Sequence, residues 1–345
     1  MNHRERFFRT IERASVDRPA AWLGEPVHAA IPGLLAYFGV NTFLELKAKL
    51  DDDVYHVNIP YSSPTSQHVA SAFDFAKEKD ANHGYEERTL TVPGFFEEYE
   101  DPASVADFDW PDPEAFIDPE KCRRVFDGIP ENRATMVLAW SCHFQDACAA
   151  FGMETALVKM MTEPDMFQAV IDRIIEFYLK ANEIFYEATR GRLDAVLIGN
   201  DFGSQQCLML SPELIRALVF PGTKKLIDQA HSYGLKVVHH SCGSIYDIIP
   251  DLIKLGADAI HPLQALAHNM EADRLKRDFG TQASFCGGVD AQRLLVLGTP
   301  GEVFTEVKRL ISIFPTGLII SPSHEAILLD TPPANIEALF AALHT

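Results

Sequence analysis

Short runs that are apolar at nearly every position recur along most of the chain, each followed by a longer segment with apolar residues three and four apart. The runs lie near residues 20, 54, 136, 195, 237, 258, 284 and 318. A run apolar on both faces of an extended chain predicts a strand buried on both sides, the habit of parallel sheets. The intervening segments carry the helical period. In the clearest, 165–186, Phe167, Val170, Ile171, Ile174, Ile175 and Tyr178 fall along one face. Further helices are predicted over 4–15, 42–50, 245–255 and 271–279, and from Pro332 or Pro333 to Leu343. Ser211-Pro212-Glu213 starts one with an N-cap serine and a proline at the first position, and Thr299-Pro300-Gly301-Glu302 starts another with capping-box spacing.

Eight strand-helix units predict a (β/α)₈ TIM barrel, an α/β fold, formed by a single domain over 1–345. The rhythm fails from about 60 to 130, where polar loops, an expected hairpin at 85–95 and the stretch Asp107-Phe108-Asp109-Trp110-Pro111-Asp112-Pro113 suggest an insertion after the second strand. A doubly wound open sheet is the competing architecture. The lack of a Gly-x-Gly-x-x-Gly after an early strand counts against it.

Composition narrows the class. At 47% hydrophobic residues, 345 positions suffice for a large core. A net charge of −19 argues against a nucleic-acid surface. The N-terminal stretch MNHRERFFRTIERAS has neither the apolar core nor the cleavage site of a secretory signal, and no run reaches the roughly 20 apolar residues of a membrane span. A cytoplasmic protein with a small-molecule substrate is therefore expected. Six dispersed cysteines fit free thiols or metal ligands better than disulfides. The acidic run Asp51-Asp52-Asp53 reads as a solvated helix end.

In a barrel, catalytic groups gather just after the strand C-termini, and polar residues collect there repeatedly. Glu25 follows the first run, Cys142 and His143 the third, and Asn200, Asp201 and Gln205 the fourth. His240 and Cys242 end the fifth, His261 and Gln264 the sixth, Cys286 and Asp290 the seventh, and His324 and Glu325 the eighth. In extended chain, His240 and Cys242 point to the same side, and an imidazole and a thiolate so placed can share one Zn²⁺. His324 is the preferred third ligand, with Cys286 or Asp201 as further donors. His324 and Asp201 also suit proton transfer, whereas Glu25, His143, Gln205 and Gln264 are candidates for holding substrate. Plainer roles are open as well: capping for His143 and Asp201, barrel packing for Cys286.

The motifs Gly199-Asn200-Asp201-Phe202-Gly203-Ser204-Gln205, His240-Ser241-Cys242-Gly243-Ser244, Gly287-Gly288-Val289-Asp290 and Ser321-Pro322-Ser323-His324, leading to Asp330-Thr331-Pro332-Pro333, together resemble the uroporphyrinogen decarboxylase superfamily. That superfamily includes the decarboxylase and corrinoid-dependent methyltransferases. The resemblance implies a (β/α)₈ barrel. The decarboxylase grips substrate carboxylates with an N-terminal Met-Arg-Gln-Ala-Gly-Arg; here the region reads Ala20-Ala21-Trp22-Leu23-Gly24-Glu25, without arginine, which argues against a tetrapyrrole substrate. The methyltransferases hold zinc with His-x-Cys and a distant cysteine. His240 and Cys242 match the first part, and His324 stands in place of the second. The resemblance thus implies a zinc-dependent methyltransferase-like enzyme that moves a methyl group between a corrinoid, or a methylated small molecule, and an acceptor, with a corrinoid protein and a second copy of the chain as expected partners. The alternatives are a metal-independent decarboxylase (a lyase) and a non-enzymatic corrinoid- or tetrapyrrole-binding protein.

Overall fold

The apolar runs form strands because each buries both faces. In the computed structural model, which describes residues 1–75 and 92–344, a two-residue strand β1 (Glu25–Pro26) precedes β2 (Val54–Asn58), β3 (Ala134–Trp140), β4 (Ala195–Gly199), β5 (Lys236–His240), β6 (Ala259–Leu263), β7 (Ser284–Val289) and β8 (Leu318–Pro322). Strands β2 to β8 make one parallel seven-stranded sheet in sequence order. The short β1 pairs in parallel with β9 (Ala326–Ile327).

Alternate residues of every strand of the seven-stranded sheet point to one compact cluster: Val54, Met136 and Leu138, Ala195 and Leu197, Val238, Ala259, Cys286 and Ile319. A sheet whose alternate side chains all meet in one cluster is curled. Ala20 and Trp22 join the cluster, and Phe7 and Ile11 of the helix His3–Ile11 enter it as well. The opposite face packs against helices, chiefly Pro164–Ala188, which buries the six apolar residues named above. Burying a Phe or Ile side chain contributes about 1.5–3 kcal/mol, so these two layers account for most of the apolar driving force.

The run near residue 20 is a correction to the count of eight strands. It makes a single parallel bridge, Ala21 to Ile320, with Trp22 N–H donating to Ile320 O at 2.9 Å and Ile320 N–H to Ala20 O at 2.8 Å. Toward β2 the backbone contact is Asp53 N–H to Ala21 O, 3.2 Å. The physical reason is that carboxylates capture the N–H groups a ladder would need. Ala21 N–H donates to Asp53 Oδ2 (2.8 Å) and Leu23 N–H to Asp52 Oδ2 (3.1 Å).

The same contacts correct the reading of the acidic run as a solvated end: Asp52 and Asp53 are fully buried. Asp52 also takes Lys47 Nζ at 2.5 Å, and Asp53 takes Arg6 (2.7 Å), Arg18 (2.6 Å) and His3 (2.7 Å).

Among the described residues, 59–133 contribute no strand to the sheet. They include the short helices Pro113–Phe116 and Pro119–Arg124, each capped by an aspartate side chain. The hairpin expected at 85–95 falls mostly outside the described residues. Elsewhere the helix signals hold: Thr299 and Glu302 form a full capping box, and Ser211 caps a helix start. Among the described residues, no helix is long and apolar enough to cross a membrane.

Candidate active site

The C-terminal ends of β3 to β6 and the segment after β8 bring one group of side chains together. Gly199, the last residue of β4, pairs with His240, the last of β5, and a Cβ on Gly199 would lie 1.9 Å from the His240 carbonyl oxygen. Only a glycine lets the two strand ends approach so closely. The backbone then turns through Gly243 (φ +83°), whose N–H donates to Gln264 Oε1 at 2.6 Å. Ser241 Oγ accepts Phe202 N–H, tying this turn to the loop after β4.

His240 is the hub. Its Nε2 lies 3.4 Å from Cys242 Sγ and 3.2 Å from Asp201 Oδ1. Its Nδ1 lies 2.8 Å from His261 Nδ1 and 3.6 Å from Glu325 Oε2. His261 pairs in register with His240 across β5 and β6. Cys242 N–H donates to the same Asp201 oxygen at 2.8 Å. His324 stands at the rim with its side chain 43% exposed, its ring centroid 6.2 Å from that of His240, and its Nδ1 accepts Ala326 N–H. Trp140 closes the other side, its ring 5.3 Å from that of His240 and nearly perpendicular to it.

Charge follows from this arrangement. Burial opposes a charge on His240, but Glu325, Asp201 and Cys242 outweigh it and raise its pKa well above that of a free histidine. Burial, then the charges of His240 and His324, push His261 well below it. His240 Nδ1–H is therefore the donor in the pair, which leaves the hydrogen of His261 on Nε2, a buried atom with no acceptor. Burial alone would raise Asp201, but the hydrogen bond to His240, that ring's charge and the N–H of Cys242 hold it at about 2. His324 is raised by its contact with Cys242, with burial opposing and Glu325 adding.

Among the described residues, two sets of three have donor atoms mutually within 4.8 Å: Asp201, His240 and Cys242, and His240, His261 and Glu325. In the first, the distances suit a shared ion. Bonds of about 2.0 Å to nitrogen, 2.3 Å to sulfur and 2.1 Å to oxygen at tetrahedral angles place N and S about 3.5 Å apart and N and O about 3.3 Å apart. The observed 3.4 and 3.2 Å need only slight opening.

A sequence profile of the family described as Uroporphyrinogen decarboxylase (URO-D) matches residues 93–345, most of the chain. The chain belongs to the uroporphyrinogen decarboxylase family. Among solved structures, a methyltransferase from Methanosarcina mazei superposes with a TM-score of 0.69 at 18% identity, covering 100% of this chain and 98% of that one. At that identity the likeness concerns the fold. A protein titled a putative vitamin-B12-independent methionine synthase from Listeria monocytogenes gives a TM-score of 0.48 at 12% identity, with 96% of each chain covered. A B12-independent methionine synthase from Shewanella sp. W3-18-1 gives 0.40 at 11%, covering 66% and 65%. No curated protein matches the sequence.

Within this member of the uroporphyrinogen decarboxylase family, the residues singled out from sequence separate into three groups. Asp201, His240, Cys242 and His324 come together. Glu25 and Gln264 line neighbouring cavities, of about 230 and 210 Å³; Asn58 donates to Glu25, whose pKa is raised by burial and then, against that hydrogen bond, by Glu325. The others stand apart. His143 is buried, its Nδ1 on Ser141 O and its Nε2 on Val219 O and Thr223, a structural set; burial lowers its pKa to about 4 against the opposing contacts with the two carbonyls. Gln205 is exposed on its loop, and Cys286 lies buried in the apolar cluster inside the sheet, outside both donor sets. His261 and Glu325 were visible only as polar residues at strand ends. The signal that finds His261 is its register beside His240, which needs the strand pairing. Trp140 gave no sequence signal beyond ending an apolar run.

Proposed function

We propose that this chain is a zinc-dependent methyltransferase-like enzyme on a barrel in which the 20–23 segment, bridged to β8 and held to β2 through Asp53, closes the seven-stranded sheet. The observation that supports it is the convergence of Asp201, His240 and Cys242 at separations suited to one ion. These three would hold the metal. His261 and Glu325 lie on the far nitrogen of His240, the position from which an outer partner fixes ring orientation. A bound zinc would supply Lewis acidity that lowers the pKa of an acceptor thiol.

The chain's own groups do the rest. Glycines at 199 and 243 hold the strand ends close, Gln264 fixes the turn that carries Cys242, and Trp140 shields one side of His240 from water. His324, beside Cys242 at the open rim, is placed to meet a substrate. A corrinoid or a methylated small molecule would give up the methyl group, and a small thiol would receive it.

Metal analysis of protein purified without chelators tests the first step. About one zinc per chain is expected, falling below about 0.1 in His240→Ala and Cys242→Ser; a wild type already below that value ends the proposal. Transfer from methylcobalamin to a panel of thiols tests the second. Activity that survives exhaustive chelation would select the decarboxylase reading instead.

A further inference from the structure

A cavity of about 250 Å³ opens beside His240 and Asp201, walled by Trp140, Cys142, Gln145, Asp146, Ala149 and the backbone of β4. It adjoins the cavity of Glu25, with which it shares Trp140 and Ala70. Among the described residues that line these two cavities and the one beneath Cys242, none is a lysine or arginine. The cationic group on these walls, the His240 ring, is already paired with Asp201 and Glu325, and carboxylates face the space from two sides.

Asp146 is the carboxylate the methyl-transfer reading does not use. It sits on the helix His143–Phe151. Its Oδ2 accepts Tyr178 O–H at 2.6 Å, whereas Oδ1 has no partner among the hydrogen bonds of the described residues. Gln145 supplies a second open acceptor. Its Nε2 donates to the Asp201 carbonyl at 3.0 Å, which fixes the amide orientation because a carbonyl can only accept. The remaining oxygen, Gln145 Oε1, is buried with no partner. A buried acceptor left open calls for a donor. The aromatic wall is held in place at a cost: Trp140 and Ser141 are consecutive non-glycine residues with left-handed backbone, φ +57° and +52°, a conformation that persists where surrounding structure enforces it.

We infer that the substrate of the proposed methyl transfer carries a small protonated amine, seated in this cavity against Trp140 with its N–H groups on Asp146 Oδ1 and Gln145 Oε1. The inference rests on that reading of the site for the word substrate, but the binding it predicts is independent of metal and methyl group. An ammonium over an indole face and beside a carboxylate is favoured by the ring quadrupole and by direct charge attraction.

A linked proton makes the inference measurable. Burial raises Asp146 to about 7, against the opposing hydrogen bond from Tyr178. The other titratable groups around it are Cys142 and Cys148 from its own side, Tyr178 from the long helix, and Asp201 and His240 across the cavity. A cation must meet the ionised form, so binding expels the carboxyl proton to solvent. Affinity then rises about tenfold between pH 6 and pH 8 and levels off above it.

The experiment titrates the full chain with propylammonium, propan-1-ol and propionate, which share a carbon skeleton, by calorimetry at pH 6, 7 and 8. Propylammonium should bind most tightly, with the tenfold rise, and should release more than half a proton per ligand at pH 6.5 in buffers of different ionisation enthalpy. Asp146→Asn should remove both the preference and the pH dependence. Tyr178→Phe, which keeps the carboxyl, should retain the preference and move the midpoint upward. Equal or weaker binding of propylammonium than propan-1-ol, or a pH-independent affinity, overturns the inference. Zinc measured on the same samples separates the two readings: zinc present without amine preference refutes this one alone, and amine preference without zinc refutes the proposed methyl transfer alone.

Discussion

Replacing Asp53 by asparagine probes how the first segment is joined to the sheet. Asp53 is fully buried and accepts Ala21 N–H as well as Arg6, Arg18 and His3. Asparagine keeps the shape and an acceptor for Ala21 but removes the charge, leaving two largely buried guanidinium groups facing a neutral amide. Removing one partner of a buried ion pair costs about 3–5 kcal/mol. Arg6 and Arg18 retain Asp17 and Asp51, so the lower end, about 3 kcal/mol, applies. At about 2.1 cal/mol/K per residue, a chain of 345 residues has an unfolding entropy near 0.7 kcal/mol/K, and Tm should fall by about 4 °C. The pH dependence has a definite sign. Burial would raise the carboxyl of Asp53, but His3, Arg18 and Arg6 together lower it below its ordinary value. The stabilisation is therefore complete above the unfolded value of about 3.9 and is lost as pH falls from there through the lower folded value. Thermal melts followed by circular dichroism should show a constant gap between wild type and variant from pH 5 to 8, closing toward pH 3. A gap below about 1 °C at pH 7, or one that widens in acid, would refute the reasoning.

Three further substitutions address the site. Gly199→Ala forces a methyl group into the His240 carbonyl; a loss of about 3 kcal/mol in urea unfolding is expected, together with weaker zinc binding because the end of β5 must move, and an unchanged urea midpoint would contradict it. His261→Phe takes away the partner of His240 Nδ1 and should weaken zinc 10- to 100-fold in competition with a chromophoric chelator; unchanged affinity would show that the ring is not oriented from that side. Cys286→Ala should leave zinc content untouched and cost about 1 kcal/mol in the same urea assay, since the thiol packs with apolar neighbours; loss of metal would return it to the ligand set.

The strand positions were legible because burial on both faces writes itself as an uninterrupted apolar run, and the helix starts because capping is local. The pair His240 and Cys242 was legible for the same reason, being two residues apart at the end of one strand. What escaped depended on distance. The run at 20 looks like any other strand, and nothing near it shows that Asp52 and Asp53, some thirty residues later, take its N–H groups. Asp53 in turn looked like a solvated end, since its partners Arg6 and Arg18 are remote in sequence. So did Asp52, because the Leu23 N–H it accepts is equally remote and its near neighbour Lys47 reads as an ordinary surface lysine. His261 and Glu325 needed strand register to be seen beside His240. His143 looked available at a strand end, but its ring turns away to Val219 and Thr223, contacts made across some eighty residues.

The two left-handed residues that end β3 set stability against recognition at one point in the chain. A glycine in place of Ser141 would relax a backbone that costs about 1–3 kcal/mol to hold, against the loss of the buried hydrogen bond from Asn182 Nδ2 to Ser141 Oγ. It would also free the peptide that aims the indole of Trp140, so selection for robustness and selection for a preorganised pocket pull this position in opposite directions.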